Sequence, residues 1–483
     1  MTDPVVVLAF DFGASTGRAI KGTYDGASLQ CEEIHRFENI PLEKDGHMYW
    51  DMDLLLGEIR TGIQKAGTFD SLAFDTWGVD FGLLDESGAL LQNPMHYRDL
   101  HTKGWVDRIS EQWPAKKIYE RTGNQIMEIN TLFQLLALKE EQPELLKRTK
   151  KLLFMPDLFA ASLGAEAVCE KSIASTSQML SPVTGMWDKE LLDSLGINPE
   201  ILSDPIESGT ITGALPSGEK IIAVAGHDTQ CAVAAVPWKE QTSERAAFLS
   251  CGTWSLIGTE LDAPILTEES CEQELSNEVG ANGKINYLKN ITGLWILQES
   301  RREYQRQGQE YSFGELAKLA EEAKPLQCFI DPDAPEFANP GNLPERIREF
   351  CKRTNQPIPE TVGETMRCVY ESLALKYRQS LEQISQETGK TLEVLHILGG
   401  GTKAELLCQM TADCCGIPVK AGPVEATALG NMILQLKALG AVSDLEEGKK
   451  LVAQAEEIKE YRPAEAESEC WKQAYERFKE IVK

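Results

Sequence analysis

One turn, used twice, limits what this chain can fold into. The apolar run Val5 to Phe10 breaks into Asp11-Phe-Gly-Ala-Ser-Thr-Gly17, and Ala246 to Ser250 breaks into Cys251-Gly-Thr-Trp-Ser255. Each turn leaves again as a strand-like run, Arg18 to Tyr24 and Ser255 to Glu260. A strand–turn–strand unit rich in Gly, Ser and Thr presents backbone N–H groups and hydroxyls to an anion. Neither turn ends in the Gly-Lys-Ser/Thr of a P-loop, and neither has the spacing or the following helix of a dinucleotide fingerprint. A dehydrogenase is thereby excluded, and a phosphate grip built in two halves is expected.

With 483 residues the chain is long enough for two or three domains, and the repeated turn favours two, 1–240 and 241–483. Lys and Arg number 48 against 75 Asp and Glu, a net charge of −27. Such a surface repels polyanions, so nucleic acid is not an expected partner. No signal-length or membrane-length apolar segment is present, so the expectation is a cytoplasmic protein with no membrane attachment and no obligate protein partner. The 12 cysteines contain no C-x-x-C pair and read as buried thiols rather than a disulfide framework or zinc site. Whether Cys351 and Cys368 meet across neighbouring helices is left open by spacing alone.

Along the chain, Asp51 or Asp53 is placed to cap an amphipathic helix that ends near Gly67, followed by a strand from Ser71. The Leu and Phe spacing from Thr131 to Leu146 is helical. Ile221 to Ala225 reads as a buried strand ending at Gly226-His227-Asp228-Thr229, which puts His227 and Asp228 where open α/β sheets gather their ligands. At such a helix start the dipole is expected to stabilise the ionised form of Asp228. Pro237 to Arg245 is polar enough to cross between domains. Leu395 to Leu398 leads into Gly399-Gly-Gly401, a helix from Lys403 to Asp413 and a strand from Pro418 to Ala421. The last helix should pack Trp471, Tyr475, Phe478 and Val482 against the body.

Strand, turn and strand suggest the actin type of nucleotide fold. Asp11-Phe-Gly-Ala-Ser-Thr-Gly-Arg18, Ile34-His-Arg-Phe37, Asp75-Thr-Trp-Gly-Val-Asp-Phe81, Tyr97-Arg-Asp99, His227-Asp-Thr229, Gly252-Thr-Trp-Ser-Leu256, Lys289-Asn290 with Gly293-Leu-Trp295, and Gly422-Pro-Val-Glu-Ala426 together resemble the FGGY carbohydrate-kinase family, which includes glycerol kinase and xylulokinase. The match runs through nearly the whole chain. It implies an α/β protein of two actin-like, ribonuclease-H-like domains around a central cleft for ATP and sugar. The first would mainly hold the sugar and the catalytic base, and the second mainly the nucleotide. The implied reaction moves the γ-phosphoryl of ATP, with Mg²⁺, to O1 of L-rhamnulose; L-fuculose, L-xylulose or a similar ketose is the alternative acceptor, and a non-catalytic actin-fold protein the alternative class.

Carried over residue by residue, the resemblance makes Asp228 the catalytic base, with His227 as the other candidate because its ordinary pKa suits the task. Gly78, His227, Asp228, Thr229 and Asn290 match sugar-contacting positions. Asp75 and Asp80 rank below them as sugar ligands. Ala14, Ser15, Thr16, Gly17 and Arg18 form the first ATP turn, and Thr253, Gln298 and Gly400 belong to the nucleotide wall. Asp11 is implied as a Mg²⁺ ligand acting through water. The chain departs from the pattern at Lys403-Ala404, where relatives often carry Asn, which leaves nucleotide choice open.

Overall fold

A computed structural model of the chain describes residues 3–238 and 243–482. The chain divides into two compact units: residues 1–239, 260–288 and 426–455 form one, and 240–259, 289–425 and 456–483 the other. The expected boundary at 240/241, and the middle of the Pro237 to Arg245 crossing, lie outside the described residues.

The first unit is built on a six-stranded sheet in the order Thr210–Ala214, Lys220–Ala223, Ser71–Thr76, Val5–Phe12, Thr16–Tyr24, Leu29–Glu38. Val5–Phe12 is covered on both faces from Val7 onward, so it reads as a continuous apolar run rather than an alternating one. It pairs antiparallel with Thr16–Tyr24 and parallel with Ser71–Thr76. Phe12 stacks on Phe159 with centroids 4.6 Å apart, and Phe10 on Phe74 at 5.1 Å. Burial of each such ring contributes roughly 2–3 kcal/mol. The crossover between the parallel strands is the helix Met52–Ala66, capped as the spacing predicts by Asp51, whose carboxylate accepts from Leu54 N–H.

Two further helices of this unit matter to the site. Asp228–Ala234 follows the strand Lys220–Ala223, and Ala426–Ala438 packs across it. Their approach depends on Gly430, where a Cβ would stand 1.8 Å from the Cys231 carbonyl oxygen. A hairpin of Ser276–Val279 with Ile285–Thr292 brings in Glu278. The predicted helix from 131 to 146 is instead two helices, Thr131–Glu141 and Pro143–Arg148. Pro143 lacks the N–H that would continue the first and serves as the opening residue of the second.

The second unit repeats the local plan. Ala246–Cys251 pairs antiparallel with Trp254–Leu261 and parallel with Val394–Leu398, which pairs parallel with Val419–Ala421. A hairpin flanked by two parallel strands thus occurs in both sheets. Beyond Leu398 the chain makes a 3₁₀ turn over Gly399–Lys403, and the helix is Glu405–Cys415, two residues later than predicted at each end. The long helix Val362–Thr388 begins in a capping box of Thr361 and Glu364. The last helix, Ser468–Ile481, buries Trp471, Tyr475 and Phe478 as expected; Val482 lies just past its end.

Candidate active site

The parallel register sets Asp11 beside Asp75, and the antiparallel register sets Asp11 opposite Arg18. Thr76, the next residue after Asp75, bridges to His227 and donates its N–H to the Gly226 carbonyl at 2.8 Å. Three chain segments therefore run out together, with Asp11 and Asp75 one residue before the ends of their strands and the His227-Asp228 pair beyond the strand Lys220–Ala223. Open sheets collect ligands at this end because side chains and helix N–H groups converge beyond the last backbone pairing.

Arg18 makes an ion pair with Asp11. Asp75 is sealed from solvent; one carboxylate oxygen accepts from Asn431 Nδ2 at 2.7 Å, and the other has no hydrogen-bond partner. Burial pushes its carboxyl well above the usual range, and the charges of Asp11 and Asp228 add to that, with Asn431 and Arg18 opposing. Three carboxyl groups thus gather beside one arginine. With an orphaned oxygen on Asp75, these groups fit a hard divalent cation.

Asp228 is the first residue of its helix, and its side chain is 32% exposed. One oxygen accepts the Thr229 N–H at 2.6 Å and stands 3.4 Å from His227 Nε2. The dipole expectation is corrected here. Desolvation, with Asp11 nearby, outweighs the His227 charge and the Thr229 bonds and raises the carboxyl to about 6. A short helix supplies only a fraction of a charge, whereas a recessed carboxylate facing another loses hydration and meets direct repulsion.

His227 is buried, and its Nδ1 meets Glu278 Oε2 at 2.8 Å. Burial works against the charged ring, yet the Glu278 carboxylate prevails and the pKa is raised. The same Glu278 oxygen accepts from Gln230 Nε2 at 2.7 Å, and Gln230 in turn accepts from Asn286. Beneath the turn, Glu170 accepts from the N–H groups of Ser172, Ile173 and Gly226 at 2.9, 3.1 and 2.9 Å, pinning the backbone that leads into His227.

Gly78 sits in the segment after Ser71–Thr76, fixed by Val79 N–H donating to Thr176 Oγ1 at 3.1 Å. Asp80 is enclosed by four donors, Trp50, Trp77, Gln134 and the Tyr97 N–H, at 2.6 to 3.1 Å. With both of its oxygens occupied by protein donors, it ties that segment together, in line with its low rank as a sugar ligand. In the first turn, Ser15 and Thr16 are exposed while Gly17 is buried, and Ala14 is partly so. Asn39 braces this turn by donating its N–H to Ser15 O and its amide to Gly13 O, both at 3.0 Å.

In the second unit, Thr253 Oγ1 donates to Gln298 Oε1 at 3.4 Å, so two of the predicted nucleotide residues stand together. The Thr253 carbonyl accepts the N–H groups of Gly293 and Trp295 at 3.1 and 3.2 Å. Gly293 is required there because a Cβ would lie 2.7 Å from the Trp254 carbonyl carbon. Gly400 lies in the 3₁₀ turn after Val394–Leu398, with open space where a Cβ would be. Asn290 lies on Ile285–Thr292, in the part of that strand belonging to the second unit.

Sequence reading did not single out Glu278, Glu170, Asn431 or Asn39. Only Asn431 left a trace: Asn431 and Gln435 stand one helical turn apart among the apolar residues of Ala426–Ala438, and both are fully buried.

The comparisons agree with this geometry. Residues 6–236 match the N-terminal domain of the FGGY family of carbohydrate kinases, and 247–439 its C-terminal domain. A rhamnulokinase of Bacteroides thetaiotaomicron is 39% identical, with 99% of each chain covered. Another, of Bacillus subtilis, is 39% identical over 95% of this chain and 96% of its own. The crystal structure of a gluconate kinase from Lactobacillus acidophilus superposes with a TM-score of 0.81 at 18% identity, covering 99% of this chain and 98% of that one. A ligand-bound xylulose kinase from the same organism also gives 0.81, over 99% and 97%. The mixed α/β, two-domain, actin-like fold expected from the paired turns is the fold of these kinases. With residues 6–236 and 247–439 matched by its two domains and a relative 39% identical over 99% of the chain, the chain belongs to the FGGY family of carbohydrate kinases.

Proposed function

We propose that this kinase transfers the γ-phosphoryl of ATP to O1 of L-rhamnulose, giving L-rhamnulose 1-phosphate and ADP, with Asp228 as the base. The acceptor rests on full-length similarity to proteins named rhamnulokinase. The chemistry rests on one observation: Asp228 is a half-buried carboxylate at the first residue of a helix, raised to about 6 and aligned by the Thr229 N–H. At neutral pH it is ionised yet basic enough to take a proton.

Phosphoryl transfer asks the protein mainly to position groups and to balance charge. The O1 hydroxyl bonds to γ-phosphorus, the bond from phosphorus to the bridging oxygen breaks with its electrons passing to ADP, and the O1 proton moves to an Asp228 carboxylate oxygen. His227 is held by Glu278 toward its charged form, which makes it a donor to a sugar oxygen rather than the proton acceptor. Gly78, Thr229 and Asn290 are the further sugar contacts in this reading. Residues 14–18, with Thr253, Gln298 and Gly400, would hold ATP. Mg²⁺, when bound, would spread the charge of the phosphate oxygens, and Asp11 would hold it through water. The parts 1–240 and 241–483 would serve mainly sugar and nucleotide, respectively. No helix among the described residues is long and apolar enough to cross a membrane, which accords with cytoplasmic sugar metabolism.

A panel of ketoses in a coupled ADP-release assay tests the acceptor, with phosphorus NMR locating the ester. The highest kcat/KM on L-rhamnulose, with phosphate on O1, is expected. A preference for L-fuculose or L-xylulose would move the assignment to that sugar.

A further inference from the structure

A lysine is buried halfway along the helix Val362–Thr388 of the second unit. Lys376 is 5% exposed, and its Nζ stands 3.0 Å from Asp331 Oδ1 and 3.0 Å from Asp333 Oδ2. The other Asp333 oxygen accepts the Thr292 N–H at 2.7 Å, at the last residue of the strand Ile285–Thr292. Asn290 stands two residues earlier, on the same face of that strand as Thr292. One helical turn before Lys376, Ser372 Oγ accepts the Ile330 N–H at 2.9 Å, which seats the approach to Asp331 on the same helix face. One residue after Lys376, the Tyr377 hydroxyl lies 2.8 Å from Ser255 Oγ, and both side chains are fully buried. The strand end and the turn at 252–255 thus hang from consecutive residues of one helix.

We propose, on the reading of Asn290 as a sugar contact, that Asp333, clamped by Lys376, is a positioning residue that fixes Asn290 for the acceptor. Stability alone does not account for the clamp. An ion pair drawn out of water spends in desolvation about what its attraction returns, so an apolar side chain of similar volume would pack as well as Lys376. What it could not supply is a fixed acceptor for the Thr292 N–H. That donor sits where the strand gives way to the turn after it. Gly293 and Trp295 give their N–H groups to the Thr253 carbonyl, and the Asp333 carboxylate takes the N–H just before them. The bend is therefore tied from both sides, and the residues leading into it are held relative to the turn at 252–255.

Asp333 is itself fixed at three points, one oxygen by the ammonium, the other by Thr292, and its own N–H by Asp331 Oδ1 at 3.2 Å. The chain beyond it stays on the helix Trp295–Arg306: Trp295 Nε1 donates to the Phe337 carbonyl at 3.0 Å, and the Gly341 N–H to Glu299 Oε1 at 3.2 Å. Asp331 separates charge from position. It pairs with the same ammonium at nearly the same exposure, 22% against 23%, but its bonds go to Lys376 and the Asp333 N–H rather than to the strand.

The test measures KM for whichever ketose ranks first in the panel, KM for ATP, and kcat per folded molecule, with circular dichroism giving the folded fraction. Asp333→Ala should raise the sugar KM about tenfold, with a smaller change in kcat. A structural defect would instead lower the active fraction and leave KM alone. Asp333→Asn, which keeps an acceptor for Thr292, should recover most of the loss, and Asp331→Asn should stay near the parent. Should Asp333→Ala not fold, Asp333→Glu keeps the charge beside Lys376 while displacing the acceptor, and the same rise in KM is expected. In an Asn290→Ala background, Asp333→Ala should add little. A parent-like sugar KM in folded Asp333→Ala and Asp333→Glu, an equal rise in Asp331→Asn, or full additivity with Asn290→Ala would each overturn the proposal while Asn290 keeps its role. An unchanged sugar KM in Asn290→Ala would remove that role and the proposal with it.

Discussion

At the scale of single residues, burial and neighbouring charge set the protonation of Asp228 and His227. Asp228 folded titrates near 6, above its ordinary 3.8. As a base it must be ionised, so kcat/KM is expected to fall about tenfold per pH unit below about 6, measured with a buffer series at constant ionic strength. The stability sign is opposite. A raised carboxyl stabilises the fold below about 3.8 and loses that contribution as pH rises through about 6. Asp228→Asn should therefore be more stable than the parent at pH 8 by about 1 kcal/mol, a value reduced for the exposed third of the side chain, with no gain at pH 4. Thermal melts at both pH values check this. Glu278→Gln removes the carboxylate that favours charged His227, so the His227 ring should titrate at lower pH, read from its Cε1–H resonance. An unchanged titration would show that Glu278 does not set the ring's charge.

At the scale of elements, the site depends on how closely two helices approach. Gly430→Ala puts a methyl 1.8 Å from the Cys231 carbonyl oxygen, so Ala426–Ala438 must move off the helix that begins with Asp228. A loss of about 1–3 kcal/mol, with kcat falling as Asp228 shifts, is expected from urea melts and initial rates. If stability drops while kcat holds, the helix contact is structural only.

Much of this scale was legible in the sequence. Asp51 capped its helix, and the strand ends at Asp11 and His227 fell where apolar runs met Gly, Ser and Thr. What could not be read were partners distant in sequence. Asp75 meets Asn431 across 356 positions and His227 meets Glu278 across 51, and no local period encodes such pairings. The partners of Asp80 are hidden for a related reason, because its four donors come from separate segments. The level of Asp228 was also misjudged, since a helix start is visible in sequence but desolvation is a property of the assembled fold.

At the scale of the whole molecule, a net charge of −27 means that phosphorylated ligands are held by local groups rather than by a general field. Two units built on the same hairpin-and-parallel-strand plan each carry one turn, at 13–18 and at 252–255, that would serve as such a set under the proposed function. Under the proposed function, the carboxyl groups beside the first would hold a divalent cation on which activity depends. Chelation should reduce turnover to background, and added Mg²⁺ should restore it.

The most direct measurement is kcat for ADP release from ATP and L-rhamnulose by wild type, Asp228→Asn and His227→Asn. A loss of about 10²–10⁴-fold for Asp228→Asn, with a much smaller loss for His227→Asn, is the predicted result. The reverse order, or an Asp228→Asn enzyme that turns over at the wild-type rate, would contradict the assignment of that carboxylate as the base.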